Sequence, residues 1–224
     1  MQDKPGRPGA DDSNQPDQPA AGSRNGEPVD PDIVDRRSEI QHARYGSCAF
    51  PPYRFVPGRN PHPTAHPDGH SYHPPGSPAP EVTFVDAANW RNSDDYLYGC
   101  DLYNHAYWWE AHEAWEGLWQ LTDKKSVQGR FLQGLIQVSA CHLKRYVAHG
   151  RGVERLLGSS VGYLKGVDRE IGGAEFMGLA LAGFLESLQA YYATFNPGRT
   201  VPAHDPAHYP YAILQVDQTT RENM

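Results

Sequence analysis

The segment Tyr107–Leu121, YWWEAHEAWEGLWQL, holds four of the chain's five tryptophans together with one histidine and three glutamates. So much aromatic mass in about four helical turns must be buried, and the 3.6-residue period decides how. On a helical wheel Leu118, Ala111, Trp115, Trp108, Trp119, His112 and Glu116 share one broad face, and Glu110 and Glu113 lie towards the other. A helix that buries Trp108, Trp115 and Trp119 therefore carries His112 and Glu116 into or beside the core. At i and i+4 the two side chains reach each other. Buried ionisable groups cost free energy unless paired, so this pair marks a candidate site.

The helical pattern extends on both sides. Ser93 caps a helix opened by Asp94 and Asp95, whose charges suit its N-terminal dipole, and which ends near Asn104–His105. After the tryptophan helix, a long helix runs from about Ser126 to His149 with Phe131, Leu132, Leu135, Ile136, Ser139, His142, Leu143 and Tyr146 on one face. Gly150 and Gly152 punctuate it. A fourth helix covers about Val153–Val167, and a Gly172–Gly173 loop leads to a last helix at roughly Gly178–Phe195, ended by Pro197 and Gly198. No strand-type alternation appears. The expected fold is all-α, a single antiparallel bundle of about five helices over residues 90–196.

The flanks differ in composition. Residues 1–45 are rich in Pro, Gly, Asp, Asn and Gln and read as a disordered tail, because they cannot bury enough surface to offset ordering entropy. Residues 46–89 are proline-rich too but contain Phe50, Tyr53, Phe55, Val56 and Tyr72, so they read as an extended strap docked on the domain. In the tail 197–224, YPYAILQV (Tyr209–Val216) is apolar enough to pack back on the bundle.

Over 224 residues the formal net charge is −7, which argues against nucleic acid or an anionic membrane as primary partner. Cys48, Cys100 and Cys141 are odd in number and lack a C-x-x-C spacing, as expected in a reducing compartment. The N-terminus has no apolar signal region, and no run approaches 18 apolar residues. These features set the expectation of a cytoplasmic, soluble protein.

The blocks NHAYWWEAHEAWEGLW and RFLQGLIQVSACH, followed by a GRGVERLL helix, resemble the bacterial "domain of unknown function 309" family. Its pattern is N-x-G-x-[YF]-[FW]-E-A-H-E-x-x-E-x-x-W, then F-x-Q-G-L-I-Q-x-A and a histidine. Asn104, Tyr107, Trp108 or Trp109, Glu110, Ala111, His112, Glu113, Glu116 and Trp119 match it, as do Phe131, Gln133, Gly134, Leu135, Ile136, Gln137 and His142. The strap, with PGRNPHP and HPDGHS, is similar to an N-terminal extension of some members. The likeness covers about Pro51–Phe195. Ala106 stands where the family usually has glycine, Ser139 replaces a usual alanine, and His149-Gly150 a usual Gly-Asn-like pair. What the resemblance implies is an all-helical domain without an established activity.

His112 and Glu116 could chelate a divalent metal or form an imidazole–carboxylate pair; equally, they could be a hydrogen-bonded pair that fixes helix packing. Two ligands do not hold a metal ion, so a third must come from elsewhere. If the hairpin turns at Asp123, His112 is level with Leu135, and His142 lies on the order of 10 Å further along. His142 therefore reads as a core histidine. The strap offers His62, His66, His70 and His73, whose neighbouring prolines forbid a helix. Either they stack on the bundle, or His62 or His70, with Asp68, is delivered to the His112/Glu116 pocket to complete a catalytic metal site. Gln133 and Gln137 fall on the opposite helix face from His142 and, with Trp108, Trp115, Trp119 and His142, could line a ligand pocket. No G-x-S-x-G, no Cys with a placed base and no phosphate-cradling loop is present. Two function classes stay open: a self-associating helical module that binds a peptide or small ligand, or a small metal-dependent, hydrolase-like enzyme centred on His112 and Glu116.

Overall fold

The computed structural model describes residues 42–78, 81–147, 149–193, 195–196 and 209–215. Of the expected disordered tail only residues 42–45 fall within these segments; the rest lies outside the described residues.

Among the described residues the protein is an all-α bundle with one very small sheet. A 3-10 helix at Ala87–Asn92, capped by Asp86, inserts Trp90 into the core. Ser93 then accepts a hydrogen bond from the Tyr96 N–H and opens α1 (Asp94–Asn104). The tryptophan helix α2 covers Trp108–Leu121. Ser126 caps α3 (Val127–Tyr146) by accepting from the Gly129 N–H. The ring of His149 caps α4 (Gly150–Glu170) through the Gly152 N–H. The expected break at Gly150–Gly152 is therefore the first turn of α4. Helix α5 covers Leu181–Tyr192.

Between α4 and α5 the chain departs from the expected plain glycine loop. Strands β1 (Glu175–Phe176) and β2 (Leu179–Ala180) form an antiparallel hairpin in the register Glu175↔Ala180 and Phe176↔Leu179. Two-residue strands leave no alternation to read in a sequence. Its turn needs positive φ at Met177 and Gly178. A Cβ on Gly178 would also meet the Trp90 ring at 2.5 Å, so this glycine is required by packing as well as by backbone.

Each helix packs on its neighbour in sequence, with α3 between α2 and α4. Trp115, Tyr96, Tyr103, Phe131 and Leu132 fill the centre. The helices approach closely where side chains are missing: a Cβ on Gly99 would meet the Trp115 ring at 2.3 Å, and one on Gly134 would meet Leu164 at 2.5 Å.

The α1–α2 corner carries a strained residue. Ala106 has φ +62° and is buried. An L-residue with a Cβ loses roughly 1–2 kcal/mol in this left-handed conformation, which glycine adopts freely. Ala106→Gly is therefore expected to raise stability by about 1 kcal/mol in chemical denaturation. A loss of similar size would show that methyl packing outweighs the strain.

Candidate functional site

The α1–α2 corner concentrates buried polar groups. Asp101 and Asn104 are inaccessible to solvent and Glu110 is nearly so. Burial without partners would cost several kcal/mol in total, by rough reckoning, and here the partners are main-chain groups of flanking extended segments. Asp101 Oδ1 accepts the Tyr45 N–H at 2.7 Å and Oδ2 accepts the Gly46 N–H at 2.9 Å. Arg44 adds an ion pair to the same carboxylate at 3.5 Å. Tyr98 and Tyr107 donate their hydroxyls to the carbonyls of Ala49 at 2.9 Å and Pro51 at 3.3 Å. Glu110 Oε1 accepts the Phe55 N–H at 2.8 Å. Phe50 stacks on Tyr107, with ring centres 5.0 Å apart. The strap is gripped by its backbone from Tyr45 to Phe55.

The C-terminal segment is held in the same way. The Asn104 carboxamide accepts the Ala212 N–H at 2.8 Å and donates to the Ala212 carbonyl at 3.0 Å, a bidentate contact with one residue's main chain. Tyr103 donates its hydroxyl to the Pro210 carbonyl at 2.8 Å. Leu214 bridges to Leu179, and the Gln215 N–H reaches the Gly178 carbonyl at 2.8 Å, extending the hairpin. Tyr45 ties the two flanks together. Its hydroxyl accepts the Leu214 N–H at 2.8 Å and donates to the Ala212 carbonyl at 3.3 Å.

His142 is fully buried behind this clamp. The single hydroxyl proton of Tyr103 goes to Pro210, so its 2.9 Å contact with His142 Nε2 is one it accepts. The ring therefore carries its proton on Nε2, and Nδ1 accepts from the Tyr192 hydroxyl at 3.0 Å. With both nitrogens engaged beside Trp108, Tyr192 and Tyr209, the ring serves the core and offers no free donor atom to a metal.

The second half of the strap reaches α2. His70 Nε2 lies 3.0 Å from Glu110 Oε1, with side chains only 3% and 4% exposed. On the other edge of the ring, Nδ1 meets the Ser71 Oγ at 2.8 Å. Trp109 stands edge-on to Phe55, His62 and His70. Glu110 Oε2 is buried without a hydrogen-bond partner among the described residues.

This geometry corrects one expectation and narrows another. Glu110, placed by the helical wheel on the outer face, is buried, because the strap covers the side of α2 that the bundle leaves open. His112 and Glu116, expected in or beside the core, are at its rim, with side chains 28% and 37% exposed. His112 sits between two carboxylates, Nδ1 at 3.1 Å from Glu113 and Nε2 at 3.9 Å from Glu116. Among the described residues these three form the one set of potential metal-ligand atoms that converges, all within 4.8 Å of one another. The strap histidines do not join it. His70 goes to Glu110, His62 turns its Nδ1 to the Thr64 and Ala65 amides, and Asp68 faces solvent. Of the proposed pocket residues, Trp108 and Trp115 are core, Trp119 is half-buried under Lys124, and Gln133 and Gln137 are half-buried on α3.

Residues 96–156, from α1 to the start of α4, match the family described as Domain of unknown function (DUF309). The match is confined to this helical segment of the chain. No curated protein and no solved structure matches the chain. No helix of the described residues is long and apolar enough to cross a membrane. Asp101, Asn104, Tyr103, Tyr107 and Glu110 all belong to the matched segment, while the main chain that they hold lies outside it.

Burial pushes the Glu110 carboxyl above the ordinary glutamate range, against the pull of the Phe55 N–H and of His70. A group raised in the folded state contributes stability that is full below its unfolded value and lost as pH rises through the folded one. Glu110→Gln keeps an Oε1 acceptor for Phe55 and removes the desolvated charge. The stability of the variant relative to wild type is therefore expected to increase as pH rises from the ordinary glutamate range towards neutrality. Thermal melts of both proteins across that range check the sign; a relative loss towards neutral pH would mean that the ion pair outweighs desolvation.

Proposed function

We propose that the helical domain is a module that binds extended peptide segments through their main chain, and that in this chain it holds its own flanks. The observation that carries the reading is the Asn104 carboxamide, which pairs with both the N–H and the carbonyl of Ala212. Such bidentate contacts recognise an extended backbone whatever its side chains. Asp101, Tyr98, Tyr107 and Glu110 support the reading, since each addresses a main-chain N–H or carbonyl of the strap. Specificity then comes from side-chain pockets, here those that bury Tyr209, Ala212 and Leu214.

The reading is tested by cutting the tether. A protease site placed within residues 200–205 of the full chain, once cleaved, leaves Tyr209–Gln215 attached by non-covalent contacts alone. The C-terminal fragment is expected to co-elute with the domain in wild type. Asn104→Ala strands a buried main-chain pair, at roughly 1–3 kcal/mol, and is expected to release the fragment at least tenfold faster. Immediate loss from wild type would contradict the reading.

A second reading rests on the converging donor atoms of His112, Glu113 and Glu116. In it the rim of α2 holds a divalent cation for a hydrolase-like reaction. All three side chains reach solvent, and the carboxylates brace the two edges of the imidazole, which serves an ion pair as well as it serves a metal. The metal reading expects a stoichiometric transition metal after mild purification, released by His112→Ala. Metal-free protein whose melting point does not respond to zinc, manganese or iron ends it.

A further inference from the structure

We propose that Ser71 is a nucleophilic serine, activated by His70 and positioned through Glu110, that takes acyl groups from activated donors such as aryl esters and thioesters. Ser71 Oγ, His70 and Glu110 stand in series at 2.8 Å and 3.0 Å. The ionised carboxylate only accepts, so Nε2 carries the ring proton and Nδ1 presents its lone pair to the Ser71 hydroxyl. The ring nitrogens have exchanged the roles that they take in the familiar Ser-His-Asp arrangement, but the proton logic is unchanged. The relay is sheltered, with His70 and Glu110 buried, while Ser71 is half-buried and reaches the surface. Glu110 Oε2 has no hydrogen-bond partner among the described residues, so its charge remains available to stabilise an imidazolium next to it.

The loop that carries the serine is fixed in place. A Cβ on Gly69 would lie 2.2 Å from the Pro63 carbonyl oxygen, so glycine alone lets the chain fold back there. The Ser71 N–H donates to that carbonyl at 3.0 Å. The His70 N–H donates to the Tyr53 hydroxyl at 3.2 Å, whose own proton goes to the Pro61 carbonyl at 2.9 Å. Pre-set geometry of this kind is what nucleophilic catalysis requires.

In the reaction, Ser71 Oγ forms a bond to the carbonyl carbon as its proton passes to His70 Nδ1. The bond to the leaving alkoxide or thiolate breaks, and His70 returns the proton to that group. Water then attacks the acyl-serine and loses a proton to His70, the bond from the acyl carbon to Ser71 Oγ breaks, and His70 returns the proton to Oγ as the carboxylic acid leaves. The same loop sets the substrate class. The N–H groups of His70, Ser71 and Tyr72 are already taken by Tyr53, Pro63 and Gly69, so this loop spares no amide pair for an oxyanion. Only donors with good leaving groups react under that restriction.

The full chain is treated with a fluorophosphonate probe, which phosphonylates Ser71 with loss of fluoride, and with p-nitrophenyl acetate. Mass spectrometry is expected to place the label on Ser71, and Ser71→Ala to abolish both labelling and ester turnover. His70→Ala is expected to slow labelling by about 100-fold, with partial rescue by added imidazole. Glu110→Gln retains the Phe55 contact and removes the desolvated charge, so its melting point at neutral pH is expected to hold or rise while labelling slows by about tenfold or more. Nitrogen NMR of the His70 ring is expected to show the Nε2–H tautomer in wild type and its loss in Glu110→Ala, which removes the Oε1 acceptor. Absence of label on Ser71 in folded wild type overturns the proposal, as does labelling that is insensitive to His70→Ala.

Discussion

The structure depends on the requirement that a buried polar group be matched. Asp101, at the heart of α1, is shut off from solvent, and each of its carboxylate oxygens receives a main-chain N–H from the flanking segment. With the flank in place the buried carboxylate needs these donors, and without the carboxylate Tyr45 and Gly46 would lose their partners. Asn104, one helical turn further on, imposes the same condition on the C-terminal segment. Tyr45 links the two, because its hydroxyl serves the main chain of the segment that Asn104 holds. The flanks and the bundle thereby complete one another.

This dependence explains a division within the chain. The segment that matches the family carries the grip, and the segments outside it carry what is gripped. Asp101, Asn104 and Glu110 each meet main-chain groups of an extended flanking segment. In this chain proline-rich and aromatic flanks fill that role, since proline keeps a segment extended and contributes no N–H that would need a partner.

The bundle was largely legible in the sequence because its signals are local. Ser93 caps the helix that it was expected to cap, the long helix begins next to the expected Ser126, and the tryptophan helix starts within one residue of its expected limit. The hairpin at Glu175–Ala180 was not legible, since two residues per strand carry no periodicity. The site was legible only in part. A helical wheel ranks faces by their fit to the bundle and knows nothing of a strap that arrives from 40 residues away, so Glu110 was assigned to the outside. Ser71 escaped for the same reason: its base is its neighbour in sequence, but the carboxylate behind that base lies on α2. Ala106 was marked as a departure from a usual glycine, and its positive φ is the physical content of that departure.

The central claim is that side chains of the helical domain hold the flanking main chain. Native-state hydrogen exchange at the amides of Tyr45, Gly46, Phe55 and Ala212 tests it most directly, because in extended segments without secondary-structure partners only these side chains protect them. The account predicts slow exchange at all four in wild type. In Asp101→Ala, fast exchange is expected at Tyr45 and Gly46 first, while the amides of α3 stay protected. Fast exchange at these positions in wild type, or protection that persists in Asp101→Ala, would contradict it.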